Sequence, residues 1–160
     1  MAVSCGHPHA HAGLSAGALA EALEAAERAC RADGERMTGP RRRVLELLLR
    51  AGEPVKAYDL IGRYGPDGQA AKPPTVYRAL EFLERRGLAH RIASLSAYVA
   101  CDHASRAHAA AFLICDCCGE ARELEAPAGA GLSDAAAALG YVVDRVTVEA
   151  HGRCPACREG

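Results

Sequence analysis

Two cysteine pairs constrain this chain more than any other feature. Cys115-x-x-Cys118 is followed directly by Gly119, and Cys154-Pro-Ala-Cys157 comes 35 residues later. Two residues between cysteines let both thiolates point at one ion, so each pair supplies half of a tetrahedron. A glycine after the second cysteine lets backbone amides turn toward sulfur. The intervening segment must then leave one pair, run through a strand, a helix and a strand, and return to the other. Four thiolates leave no coordination position open, so such a zinc would be structural. Two unrelated thiol pairs, or a redox CxxC, are the alternatives. Cys117 also allows a poorer Cys115-Asp-Cys117 chelate, and is read here as a spare thiol on the opposite strand face.

Eight cysteines would suit either a disulfide framework or metal ligation. The N-terminus MAVSCGHPHAHAG has neither a basic region nor an apolar one of the signal-peptide kind. No apolar run approaches the roughly 18 residues of a membrane span. A soluble, cytoplasmic protein is therefore expected, and a reducing compartment favours ligation. At 160 residues the chain allows one ordinary domain or two small ones. It has no Trp and only two Phe, so its core is expected to be mostly Ala, Leu and Val.

The net charge of −1 conceals an asymmetry. Residues 31–91 carry 13 Lys/Arg against 8 Asp/Glu, a net +5, whereas residues 101–160 carry 5 against 9, a net −4. A basic segment joined to an acidic one suggests that the first half meets a polyanion.

Local signals divide the chain into a flexible His-containing tail over 1–13, a first domain over 14–101, a hinge over 102–109 and a second domain over 110–160. A first helix is predicted over 15–33, capped by Ser15, with Leu19, Leu23, Ala26 and Cys30 at helical spacing. A second runs about 40–51, with Pro40 in its first turn, Arg41, Arg42 and Arg43 beside it, and Val44, Leu45, Leu48 and Leu49 inward. The Arg triplet suits either a solvated face or contact with phosphates. Residues 55–64 form a short third helix. The segment AKPPTVYRALEFLERRG makes a sharply delimited fourth helix, started by Pro73-Pro74 and ended by Gly87. Lys72, Thr75, Tyr77 and Arg78 gather at its N-terminal end. Strands over 88–93 and 97–101 then form a hairpin.

This order is that of a winged helix-turn-helix, whose last helix enters the DNA major groove by its N-terminal residues. Beyond the hinge, strands over 110–115 and 121–125, a helix over 131–139 and a strand over 141–150 make a small α/β unit. In that last strand Val146, Val148 and Ala150 alternate with Arg145, Thr147 and Glu149. The fold class is thus α+β.

A second constellation is looser. His90 and Cys101 lie on the two hairpin strands, His108 on the hinge, and Glu123 on the second strand of the α/β unit. Two His, one Cys and one carboxylate suit tetrahedral zinc. Taken singly, His90 reads as a strand-surface residue, Cys101 as a small buried hydrophobe and Glu123 as a solvated charge, with His103 and His151 as rival ligands. The tail histidines His7, His9 and His11 could gather metal or simply be solvated.

Several segments carry a resemblance: MTGPRRRVLELL, AKPPTVYRALEFLERRGLAHRI, YVAC, FLICDCCG and EAHGRCPAC. In order and spacing they resemble the ferric uptake regulator family, and within it the zinc uptake regulator branch, over roughly residues 30–158. The resemblance implies a homodimeric, metal-dependent repressor with an N-terminal winged helix and a C-terminal dimerisation domain, acting on palindromic operator DNA. It implies two zinc ions per protomer. Cys115, Cys118, Cys154 and Cys157 fall on the family's structural ligands, and His90, Cys101, His108 and Glu123 on the regulatory ligands of the zinc branch. Tyr58 and Arg78 fall on positions expected to touch bases, with Lys72, Thr75, Tyr77 and Arg41 as further DNA contacts.

The family's iron-type members carry a His-rich run before the first CxxC. Here it reads SRAHAAAF, which leaves His151 without most of its would-be partners. An iron, manganese, nickel or peroxide sensor of the same family is the alternative. A thiol oxidoreductase would be silenced by zinc on its sulfurs. A zinc hydrolase would need an open coordination position and a general base, which neither site offers.

Overall fold

A computed structural model of the chain describes residues 13–101, 110–125, 130–143 and 146–158. These fall into two compact units, one ending at residue 101 and the other starting at residue 110. The predicted hinge over 102–109, with His103 and His108, and the tail histidines lie outside the described residues.

The first unit begins with α1 (Ala16–Ala32). The Ser15 side chain accepts a hydrogen bond from the Ala18 N–H, which satisfies one of the amides that a helix start leaves open. Leu19, Leu23, Ala26 and Cys30 are its buried residues, as their spacing predicts. α2 (Gly39–Ala51) buries Val44, Leu45 and Leu48. α4 (Pro73–Arg85) buries Val76, Ala79, Leu80, Phe82 and Leu83. It ends in a Schellman motif: Gly87 adopts φ +64°, and Leu88 N–H donates to the Leu83 carbonyl at 2.8 Å. Leu83 and Leu88 are both buried, so the helix stop also brings the chain back into the core.

The predicted third helix over 55–64 is shorter and preceded by a strand. β1 (Val55–Lys56) leads directly into α3 (Ala57–Gly62). Val55 pairs with Tyr98 and Lys56 with Ala97, so the apolar β-branched Val55 is claimed by a sheet. The predicted hairpin, β2 (Ala89–Ile92) with β3 (Ala97–Ala100), is accordingly part of a three-stranded sheet in the order β1-β3-β2. Helices, recognition-type helix and sheet together form a winged helix-turn-helix.

In the second unit, β4 (Ala110–Cys115) is central. It pairs antiparallel with β5 (Ala121–Glu125) and parallel with β6 (Thr147–Gly152). α5 (Ala130–Ala138) and a single-turn α6 (Pro155–Arg158) complete it. The predicted strand over 141–150 is displaced. Residues 141–143 lie outside any strand, and β6 runs from Thr147, opposite Ala110, to Gly152, opposite Cys115.

The predicted alternation also faces the other way. Val148 and Ala150 are exposed and Glu149 is partly buried. Val148 lies beside Ala111 and Ala150 beside Leu113, and Leu113 is itself 47% exposed. Leu113, Leu124 and Val148 thus leave exposed apolar side chains on this face, whereas Phe112 and Ile114 on the opposite face are buried. No helix among the described residues is long and apolar enough to cross a membrane.

Candidate metal centre and nucleic-acid face

Parallel pairing of β4 with β6 brings the C-terminal ends of both strands to one edge of the second unit. Cys115 closes β4, Cys118 follows in the turn over 116–118, and Cys154 and Cys157 follow β6. The four sulfurs lie within 4.8 Å of one another, and Cys118 Sγ is 3.8 Å from Cys154 Sγ. Four sulfurs placed about 2.3 Å from a central zinc form a tetrahedron with edges of about 3.8 Å. That spacing is far too long for a disulfide, and these four cysteines are free thiols. The residues therefore fit a closed Zn(Cys)4 site.

Backbone geometry prepares it. The Cys154 N–H donates to Cys115 Sγ at 3.3 Å, and the amides of Cys118 and Cys117 add to this. Donation from Cys154, with those two amides, outweighs burial and holds the Cys115 thiol down to about 6. Burial pushes the Cys118 thiol up to about 11 despite the Glu120 amide. Thiolate, not thiol, binds zinc, so loading such a site releases protons and weakens as pH falls. Gly119 turns the chain at φ +77°, and its N–H donates to the Cys115 carbonyl at 2.9 Å. Cys117 lies in this turn, not on a strand face as the sequence predicts, because the strand ends at Cys115.

His90 and Cys101 come together in the first unit. His90 on β2 faces Val99 on β3, and the Cys101 N–H donates to the Leu88 carbonyl at 3.0 Å, which extends the ladder past β3. Cys101 is thus the diagonal neighbour of His90 on the same sheet face. A ring nitrogen of His90 and Cys101 Sγ lie within 4.8 Å of each other, and Cys101 is buried. Glu123 sits on β5 opposite Phe112 in the second unit and is partly buried.

Two groups of basic residues stand out in the first unit. Those of α2 are engaged within the fold. Arg41 stacks over the Phe82 ring, 3.6 Å from its centroid, and donates to the Arg36 carbonyl at 2.5 Å. Arg42 bonds Glu27 of α1 at 2.6 Å. Arg43 donates to the carbonyls of Tyr64 and Arg63, which satisfies groups that the end of α3 leaves open, and it pairs with Glu46. Cations at a helix start oppose the helix dipole, and these acceptors offset that cost. The triplet is thus a clamp on α1, α3 and α4, which the sequence did not reveal because the partners on those helices are distant along the chain. Arg85 and Arg86 bind Glu35 and Asp33 beyond the end of α1.

The second group lies at the start of α4. Lys72 precedes the helix and Arg78 lies in its second turn. Both are exposed, and among the described residues neither side chain makes a hydrogen bond or ion pair. Tyr77 is 52% exposed, Tyr58 on α3 is 82% exposed, and Thr75 is partly buried. No acidic residue occupies the first turn of α4. Uncompensated cations and a helix N-terminus on one element make a face suited to phosphate and base edges.

Residues 32–151 match the sequence profile of the ferric uptake regulator family. The chain is 38% identical over 144 residues to the zinc uptake regulation protein of Escherichia coli K12, covering 87% of this chain and 82% of that protein. The Shigella flexneri protein of the same name matches equally. Among solved structures, holo XcZur superposes with a TM-score of 0.76 at 44% identity, covering 86% of this chain and 97% of that one. A zinc uptake regulator complexed with zinc and DNA superposes with a TM-score of 0.80 at 37% identity, covering 88% and 95%. The chain belongs to the ferric uptake regulator family.

Proposed function

We propose that this chain is a zinc-responsive transcriptional repressor, whose zinc-loaded homodimer binds two-fold-related operator DNA in the cytoplasm and silences zinc-uptake genes. The observation that carries this reading is the pairing of His90 with Cys101 on the sheet of a winged helix. A metal bound there sits within the DNA-reading unit. The soft thiolate favours zinc over iron or manganese. The similar proteins named for zinc uptake regulation, one of them solved with zinc and DNA, support the same metal and partner.

In this reading each protomer holds two zinc ions. Cys115, Cys118, Cys154 and Cys157 keep one permanently. His90, Cys101, His108 and Glu123 hold the other, which exchanges with the cell's supply. Its ligands come from the wing, the hinge and the second domain, so binding orders the hinge and fixes the separation of two recognition helices. Zinc acts as corepressor by shifting a population. The boundaries are a tail over 1–13, a DNA-binding domain over 14–101, a hinge over 102–109 and a dimerisation domain over 110–160. The open apolar side chains of the second unit, among them Leu113, Leu124, Leu132, Leu139, Tyr141 and Val142, support dimerisation through that domain. The protein has no catalytic role in this account.

The test is operator affinity measured across buffered free zinc. Cys101→Ser removes a direct ligand, so it is expected to weaken binding at limiting zinc by at least the roughly 10–100-fold that losing an outer-shell partner costs a metal site, while the fold and one tightly held zinc remain. Normal operator binding by Cys101→Ser at limiting zinc would show that the assignment is wrong.

Tyr58, Lys72, Thr75, Tyr77 and Arg78 form the DNA face, and Arg41 offers its remaining N–H groups to the phosphate backbone. Arg78 reaches a guanine edge with its fork of donors. Arg78→Ala should cost about 1–3 kcal/mol in operator binding and relax specificity at one base position. Lys72→Ala should weaken all sequences alike and reduce the salt slope by about one. A binding-site selection experiment separates the two, and an unaltered base preference in Arg78→Ala would rule out the guanine contact.

A further inference from the structure

His151 is left unused by both proposed sites, yet the structure gives it a partner. Its Nδ1 lies 2.9 Å from Asp116 Oδ1, and its Nε2 lies 3.8 Å from Glu149 Oε2. The strand register explains the meeting. His151 on β6 faces Ile114 on β4, and Asp116 lies two residues beyond Ile114, on the same side. The Asp116 N–H also donates to the Gly152 carbonyl at 2.8 Å, so Asp116 meets the end of β6 through a backbone bond to Gly152 and a side-chain bond to His151.

The position matters because of what lies on either side. Asp116 is inside the first thiol pair, between Cys115 and Cys118. His151 leads through Gly152 and Arg153 to Cys154, the start of the second pair. The two halves of the tetrahedron come from different strands, and β4 and β6 stop at Cys115 and Gly152. Beyond that point the paired backbone no longer holds the two cysteine turns together. Besides the approach of the sulfurs themselves, the contacts that bridge them there include the Cys154 N–H to Cys115 Sγ bond, the Asp116 N–H to Gly152 bond and the His151–Asp116 pair.

We infer that His151 and Asp116 form a latch that positions the two cysteine pairs against each other and thereby slows release of the structural zinc. The inference rests on the Zn(Cys)4 reading. His151 and Asp116 are positioning residues, not ligands. Partners outside a metal's coordination sphere change affinity by about 10–100-fold, and the partial exposure of this pair places it near the lower bound.

The test uses the full-length, zinc-loaded protein and follows zinc transfer to a chromophoric chelator over time. The regulatory ion leaves in a fast phase and the structural ion in a slow one. His151→Ala and Asp116→Ala should each speed the slow phase about 10-fold. The double variant should release no faster than either single one, because both remove the same bond. His151→Gln, which keeps a donor for Asp116, should restore most of the wild-type rate, whereas a residue that merely fills space would not be rescued in this way. Slow phases unchanged in the single variants, or effects that multiply in the double variant, overturn the latch. A wild-type protein with no slowly released zinc overturns the four-thiolate reading itself, and the latch with it.

Discussion

Replacing Cys154 with serine is expected to remove one tightly held zinc per protomer and to unfold the second unit. A hydroxyl at that vertex cannot stand in for a thiolate on a soft ion. The surrounding protein has little with which to compensate. Among the described residues of that unit, the buried hydrophobic side chains are Ala110, Ala111, Phe112, Ile114, Cys115 and Cys157. Only Phe112 and Ile114 are large, and two of the six, Cys115 and Cys157, belong to the four-thiolate cluster. A core of this size within one chain gives little to order strand, helix and strand, so a zinc on the four thiolates is expected to supply much of the cohesion. Structural zinc contributes about 10–16 kcal/mol in small metal-folded domains. The first unit has a separate and much larger core, running from Leu19 to Ala100. Thermal unfolding of Cys154→Ser should therefore lose the transition of the second unit and retain that of the first. Zinc analysis should fall by one ion, and operator binding should fail even at saturating zinc, because the dimer is lost. Full zinc content with unchanged melting would remove the structural role assigned to these sulfurs. The contrast with Cys101→Ser, whose defect is confined to limiting zinc, separates staple from switch.

The features that were legible in the sequence are those whose determinants are local. Pro73-Pro74 and Gly87 bound α4 because ring geometry and positive φ act on single residues. The CxxC spacing predicts two half-tetrahedra because both thiols of each pair hang from one turn. What was not legible depends on partners far along the chain. Val55–Lys56 is too short to show a strand pattern, and it becomes one only because β3 offers it an open edge. Residues 145–150 alternate in sequence, but pairing with β4, a strand far back along the chain, decides which residues of this stretch form the strand. Arg41, Arg42 and Arg43 look alike in sequence, and their separate roles depend on Phe82, Glu27 and the end of α3. Asp116 and His151 meet only through a parallel register that no local signal encodes. A parallel strand pair joined by a long crossover is the arrangement for which nearby sequence says least.

Phe82→Ala should be the most damaging single change in the first unit. The Phe82 ring is 1% exposed and lies on the buried face of α4. Arg41 of α2 stacks 3.6 Å from its centroid and Arg85 lies 5.4 Å away. Truncating a buried phenylalanine costs about 3–5 kcal/mol through lost burial and the cavity left behind. The two guanidinium groups would lose their aromatic face as well, which adds to that cost. A domain with a total stability of about 5–15 kcal/mol would keep only part of it. The urea midpoint should fall sharply with little change in slope, whereas Phe82→Leu, which refills most of the volume, should recover much of the loss. Operator affinity should follow the fraction of folded first unit, because Phe82 and Arg41 fix α4 on α2 and so set where Arg78 and Lys72 stand. The slowly released zinc should stay, since its ligands belong to the other unit. A midpoint shift worth less than about 1 kcal/mol would mean that the ring is not what seats the recognition helix.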